Sequence, residues 1–231
     1  MTLQALHTRC LDIIYEKLIT GNDGYHTGCK IYTALTEINS SQHNCLGCQF
    51  MDLHDTIYNN FLSIDASRLT EKFYFQTYIF CLYQNVERIY EMFEIINPGE
   101  QNIHFTSFFH SNFKTVKLIK RWMNFIKHPK AFQLTHHPQY CFEYQAPEVI
   151  DGTVLDSASI EKYYQGGKRN KELTKLLMNK DDVVVVMPNL IEITEGFCIE
   201  FNIFVDFIVD NAFVASILKS TSTIENYFEE E

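Results

Sequence analysis

The sequence predicts a mainly α fold: a helical bundle carrying a small β-hairpin or sheet insertion before a long C-terminal helix. Three observations support this. Apolar residues recur at three- and four-residue spacing in most segments between turn signals. The run Val183–Val186 is the strongest strand signal in the chain. Composition is globular, with 46% hydrophobic and 14% aromatic residues among 231, enough for a large core in one domain. We divide that domain into a helical core over 1–130, an α/β insertion over 131–187, and a final helix over 188–220 that packs back on the core.

Residues 2–18 form an amphipathic helix through Leu3, Leu6, Cys10, Ile13, Ile14 and Leu18. Gly21-Asn22-Asp23-Gly24 is a turn. A second helix is expected over about 30–38, then a polar loop over 40–47. A third runs over about 49–63 with a dry stripe of Leu53, Ile57 and Phe61, and His54 facing solvent. A long fourth helix, capped by Asp65 or Ser67, extends to Ile96. Its stripe of Phe73, Phe80, Tyr83, Tyr90 and Phe93 is read as core. Pro98-Gly99 stops it.

The next helix is expected over about 107–127, because Pro129 disfavours helix at His128. Residues 131–145 alternate apolar and polar around His137-Pro138, which predicts a short hairpin. Turns and two short helices fill 152–182. The last helix spans about 190–219, with Phe197, Phe201, Phe204, Ile208, Ala212 and Ala215 as its seam.

Net charge is -10, which excludes a surface-wide electrostatic binder of nucleic acid or anionic membrane. The charge is unevenly placed. From Gln101 to Phe142 there is no Asp or Glu, and six basic residues give +6 against -16 elsewhere. Such a window suits either an acidic surface of the same chain or partner, or a local phosphate site.

The first 20 residues carry charges throughout and do not read as a secretory leader. The apolar stretch Phe197–Leu218 is interrupted by Glu200, Asp206 and Asp210, so no membrane span is expected. Seven scattered cysteines suit reduced thiols in a cytoplasmic protein. Cys45-Leu-Gly-Cys48, flanked by His43 and His54, could bind zinc, but a second ligand pair at the usual distance is lacking. Gly166-Gly-Lys-Arg-Asn170 lacks P-loop spacing and reads as a surface loop. No metal or cofactor is assigned.

The helix over 113–128 holds the one candidate site. Val116, Ile119, Met123 and Ile126 make its dry seam, while Lys114, Lys117, Arg121, Asn124 and His128 make a second, polar stripe. Arg121 and His128 are two turns apart on one face, with Asn124 between them. A guanidinium can hold a phosphate through two bonds, and an imidazole can move a proton near neutrality. RNA supplies its own 2′-hydroxyl nucleophile, so such a pair could promote cleavage without a metal. The alternative is a solvated helix face whose terminal histidine sits near the carbonyl end of the helix dipole.

Arg121-Trp-Met-Asn-Phe-Ile-Lys-His128 resembles the Arg, four to six residues, His motif of HEPN domains. These are helical proteins, often metal-independent ribonucleases of toxin and defence systems, that dimerise across the motif helices. The resemblance implies that Arg121 and His128 are the catalytic pair and Asn124 an auxiliary group. Lys117, Lys120 and Lys127 would be substrate contacts, RNA the substrate, and a homodimer the working form. Trp122 stands where the family carries a small polar residue. The resemblance equally implies a non-catalytic module that binds a protein partner.

Overall fold

A computed structural model describes residues 2–22, 25–29, 46–59, 72–96, 107–127, 139–142, 153–164, 171, 173–174 and 183–218. The expected helix over 30–38, His128, Cys45 and the Gly166–Asn170 loop lie outside the described residues.

Helix α1 (Leu3–Lys17) begins at Thr2, whose hydroxyl accepts the Ala5 N–H at 3.2 Å. It leads into an antiparallel pair, β1 (Ile19–Asn22) and β2 (Tyr25–Cys29), around the expected turn. Helix α2 (Leu46–Ile57) starts three residues before the expected point. It buries Phe50, His54 and Ile57, so His54 faces the core and not solvent. Helix α3 (Lys72–Ile96) buries Phe75, Tyr78, Leu82, Val86, Ile89 and Phe93. Phe80 belongs to the other side and is 44% exposed, which corrects its place in the core stripe.

The expected helix over 107–127 is two helices, α4 (Ser107–Asn112) and α5 (Lys114–Lys127), divided at Phe113. Phe113 is fully buried, stacked on Phe109 at 4.8 Å, and still donates its N–H to the Phe109 carbonyl. The break creates a fresh helix start at Lys114. A helix start leaves N–H groups without partners inside the helix, and the Glu200 carboxylate fills that gap.

A three-stranded sheet has the order β3-β5-β4, from β3 (Gln139–Phe142), β4 (Thr153–Leu155) and β5 (Val183–Met187). Both pairings are parallel. The described part of the expected 131–145 hairpin is therefore an edge strand paired to a distant segment. A wholly buried five-residue run such as β5 suits the middle of a parallel sheet, where neither face meets water. Asp156 then caps α6 (Ser157–Tyr164) by accepting the Ser159 N–H, and Asn189 caps α7 (Leu190–Asp210) by accepting the Ile191 N–H.

Helix α7 is the centre of the fold. Phe197, Phe201, Phe204, Val205 and Ile208 are fully buried. Phe50 of α2 packs on Phe201 and Phe204, and Phe93 of α3 on Phe204 and Phe207. Helix α7 runs parallel to α1: His7 lies at the level of Thr194, Cys10 at Cys198, and Lys17 at Asn202 and Asp206. The expected last helix is broken at Asn211, whose extended backbone and side-chain oxygen start α8 (Ala212–Leu218) by accepting the N–H groups of Phe213 and Val214. Among the described residues no helix is long and apolar enough to cross a membrane.

Candidate functional site

Helix α5 has the dry seam expected of it. Val116, Ile119 and Met123 are buried, and so are Trp122 and Phe125. Trp122 packs edge-on against Phe75 of α3 at 5.5 Å and against Phe125 at 6.0 Å. The residue that departs from the family motif is therefore a core residue. Its indole N–H is buried with no hydrogen-bond partner among the described residues.

The basic stripe is half-buried through Lys117, Lys120 and Arg121, while Lys114 and Lys127 are exposed. The Arg121 side chain is only 18% exposed, and its guanidinium binds the Glu161 carboxylate on α6. Lys120 lies over the Tyr90 ring at 3.6 Å and 3.7 Å from Glu87. Lys127 lies over Tyr83 at 4.1 Å, and Lys117 is 5.9 Å from the Phe109 ring centre. Burial, with Arg121 nearby, holds the Lys117 ammonium below its ordinary range, and Glu200 opposes this. Helices α3 and α5 run antiparallel, so successive lysines of α5 meet successive rings of α3. Asn124 is half-buried. The structure thus places Arg121, Lys117, Lys120 and Lys127 against neighbouring elements of the same chain.

A cavity of about 240 Å³ opens just past the ends of β4 and β5, between Thr115, Ser157, Asn189 and Glu192. No cationic side chain lines it, so it does not extend the basic stripe into an anion pocket.

A second constellation lies deep between α1, α2, α3 and α7. The Nδ1 atoms of His7 and His54 are 3.2 Å apart. His7 Nε2 is 2.9 Å from the Tyr78 hydroxyl, which is 2.6 Å from Thr194 Oγ1. Thr194 in turn donates to the Leu190 carbonyl at 2.6 Å. All four side chains are fully buried. Burial pushes the His7 imidazole down to about 4 and the Tyr78 phenol up. The His54 imidazole is held well below its ordinary range by burial and then by His7.

Sequence reading passed over this group, yet a signal was there. His7 falls inside the dry stripe of α1, four residues after Leu3 and three before Cys10. His54 occupies the same kind of position between Phe50 and Ile57. A polar residue on a dry face must find a partner or lose its desolvation energy, so each marked a buried hydrogen bond. His54 Nδ1 meets His7, and no three metal-ligating side chains come together among the described residues, which do not include His43 and Cys45.

In comparisons with known proteins, no family model matches the chain, and no curated protein or solved structure matches it significantly.

Proposed function

We propose that this chain is a non-catalytic helical module that acts by binding a protein partner, of the HEPN-like kind its Arg121–His128 segment resembles. One observation carries this reading: the Arg121 guanidinium is committed to Glu161 of the same chain. A phosphate-binding arginine needs its donor fork free for the substrate. The lysines assigned as RNA contacts stack on rings of α3 and α4, which uses their charge and their stems in packing. Trp122, buried beside Arg121, ties the motif helix to the core.

A ribonuclease acting through Arg121, Asn124 and His128 across a homodimer would need Arg121 to leave Glu161. An exchange of that kind costs on the order of 1 kcal/mol for a partly exposed pair, so substrate could drive it.

The test is RNA cleavage in EDTA by wild type, Arg121→Ala and His128→Ala, alongside light scattering of protein purified with its native neighbours. The proposal expects no cleavage by any of the three and a stable complex with a second protein. Cleavage by wild type that both substitutions abolish would overturn it in favour of the nuclease.

A further inference from the structure

The buried chain of His54, His7, Tyr78 and Thr194 has a direction, and the direction can be assigned from one end. A carbonyl only accepts, so the Thr194 hydroxyl must donate to Leu190. Thr194 Oγ1 therefore accepts from Tyr78, and the Tyr78 oxygen accepts from His7 Nε2–H. With its proton on Nε2, His7 presents a lone pair at Nδ1, and this accepts the Nδ1–H of His54. The last atom is decided by the first: His54 Nε2 carries a lone pair. That atom is fully buried and has no hydrogen-bond partner among the described residues.

Every hydrogen of the chain is already committed, so a proton can enter only at His54 Nε2. The imidazolium so formed would be stabilised on its Nδ1 side by His7 alone. The titratable groups of the elements packed around it are His7 and, near Tyr78, Cys10 from α1, Tyr78 and Cys81 from α3, and Cys198 beside Cys10 from α7. Phe197 and Phe201 of α7 cover the ring at 6.2 and 5.6 Å between centres. No carboxylate among the described residues acts on His54. A cation buried without a counter-charge is expelled or neutralised, and the element that carries this one is the twelve-residue α2.

We propose that proton uptake at His54 Nε2 releases α2 from the bundle, so that the four-residue chain is an acid-sensitive latch. At neutral pH, Phe50 of α2 covers Phe201 and Phe204, and Tyr58 and Met51 meet Gln4 and Tyr15 of α1. Release of α2 uncovers that aromatic face of α7 and leaves α1, α3, α5 and α7 in contact. This inference does not rest on the proposed function.

Two measurements on the full chain test it. Nitrogen-15 NMR of the histidine rings at pH 7.5 is expected to find the Nε2–H tautomer at His7 and the Nδ1–H tautomer at His54. Thr194→Val removes the final acceptor and is expected to reverse both, since Tyr78 must then donate to His7. Hydrogen exchange, corrected for its intrinsic pH dependence, is expected to show α2 losing protection by about tenfold or more per pH unit below about 6.5. The amides of α3 and α7 should keep theirs. His54→Leu should reduce that pH slope by one proton. An Nε2–H tautomer at His54 in the wild type, or α2 protection that does not change between pH 7.5 and 5, would overturn the latch. The wild-type readings decide the matter even if a variant does not fold.

Discussion

Glu200 of α7 caps α5 at Thr115: its two carboxylate oxygens accept the backbone N–H groups of Thr115 and Val116, each at 2.7 Å. The acid is only 6% exposed, and burial raises its pKa while those N–H groups lower it. A carboxylate at a helix start satisfies orphan donors and opposes the positive end of the helix dipole. One contact between residues 85 positions apart thus holds the basic helix on the central one.

Glu200→Gln keeps the shape but turns an amide NH₂ toward one of the two N–H donors. We expect a loss of about 1–3 kcal/mol, read from urea unfolding at pH 7, because one buried donor is left unsatisfied. Thr115→Ala, which keeps both backbone donors, should cost clearly less.

Gly196 permits the same close crossing. A Cβ there would lie 2.5 Å from Thr115 Oγ1 and 3.3 Å from its Cβ. Gly196→Ala gains about 1 kcal/mol in helix propensity and meets an overpacking cost of about 1–3 kcal/mol. The expected net is destabilising. Adding Thr115→Ala removes the two nearest atoms, so the double variant should recover to the Thr115→Ala stability or above it. A thermodynamic cycle on the four proteins measures this.

The buried imidazoles make stability depend on pH in a stated direction. Burial holds His7 neutral down to about 4 in the folded chain, whereas in the unfolded chain it takes up its proton near 6.5, so the unfolded chain binds more protons in between. Stability is then fully present above about 6.5, falls as pH drops, and levels off below about 4 as far as His7 is concerned. His54 acts in the same sense. The His7 part is on the order of 3 kcal/mol. Urea midpoints at pH 7.5 and 4.5 should differ accordingly, and less so in His54→Leu.

Trp122 separates packing from polarity. Trp122→Ala empties a fully buried site and should cost about 3–5 kcal/mol. Trp122→Phe keeps an edge-on ring against Phe75 and removes the unpaired indole N–H, so its cost should stay near 1–2 kcal/mol. Thermal unfolding of both variants gives the comparison.

Glu161→Gln frees the Arg121 guanidinium at little cost to stability, within about 1 kcal/mol for a pair whose acid is half-exposed. For a partner-binding module we expect RNA cleavage to remain undetectable in this variant. For a nuclease held back by Glu161 it should rise above wild type.

The mainly α class, the dry faces of α1, α5 and α7 and the buried valine strand were legible in the sequence, because each is a local pattern. Periodicity tells which side of a helix is dry. It does not tell which helix that side meets. Arg121 and the lysines of α5 were legible as a stripe, but whether the stripe faces solvent or Glu161, Tyr90 and Tyr83 depends on elements distant in the chain. The division at Phe113 makes sense only with the Glu200 carboxylate brought to it by α7. His7 is joined to His54 across 47 positions, to Tyr78 across 71, and Tyr78 to Thr194 across 116. The sequence by itself determined the helical periodicity and hence the dry faces, although it points His54 to solvent and the structure buries it. Only the tertiary structure decided which buried polar residues meet and in which direction their hydrogen bonds run. The physical reason is that a buried polar group is settled by its partner, and here the side-chain partners of His7, His54 and Tyr78 come from other helices.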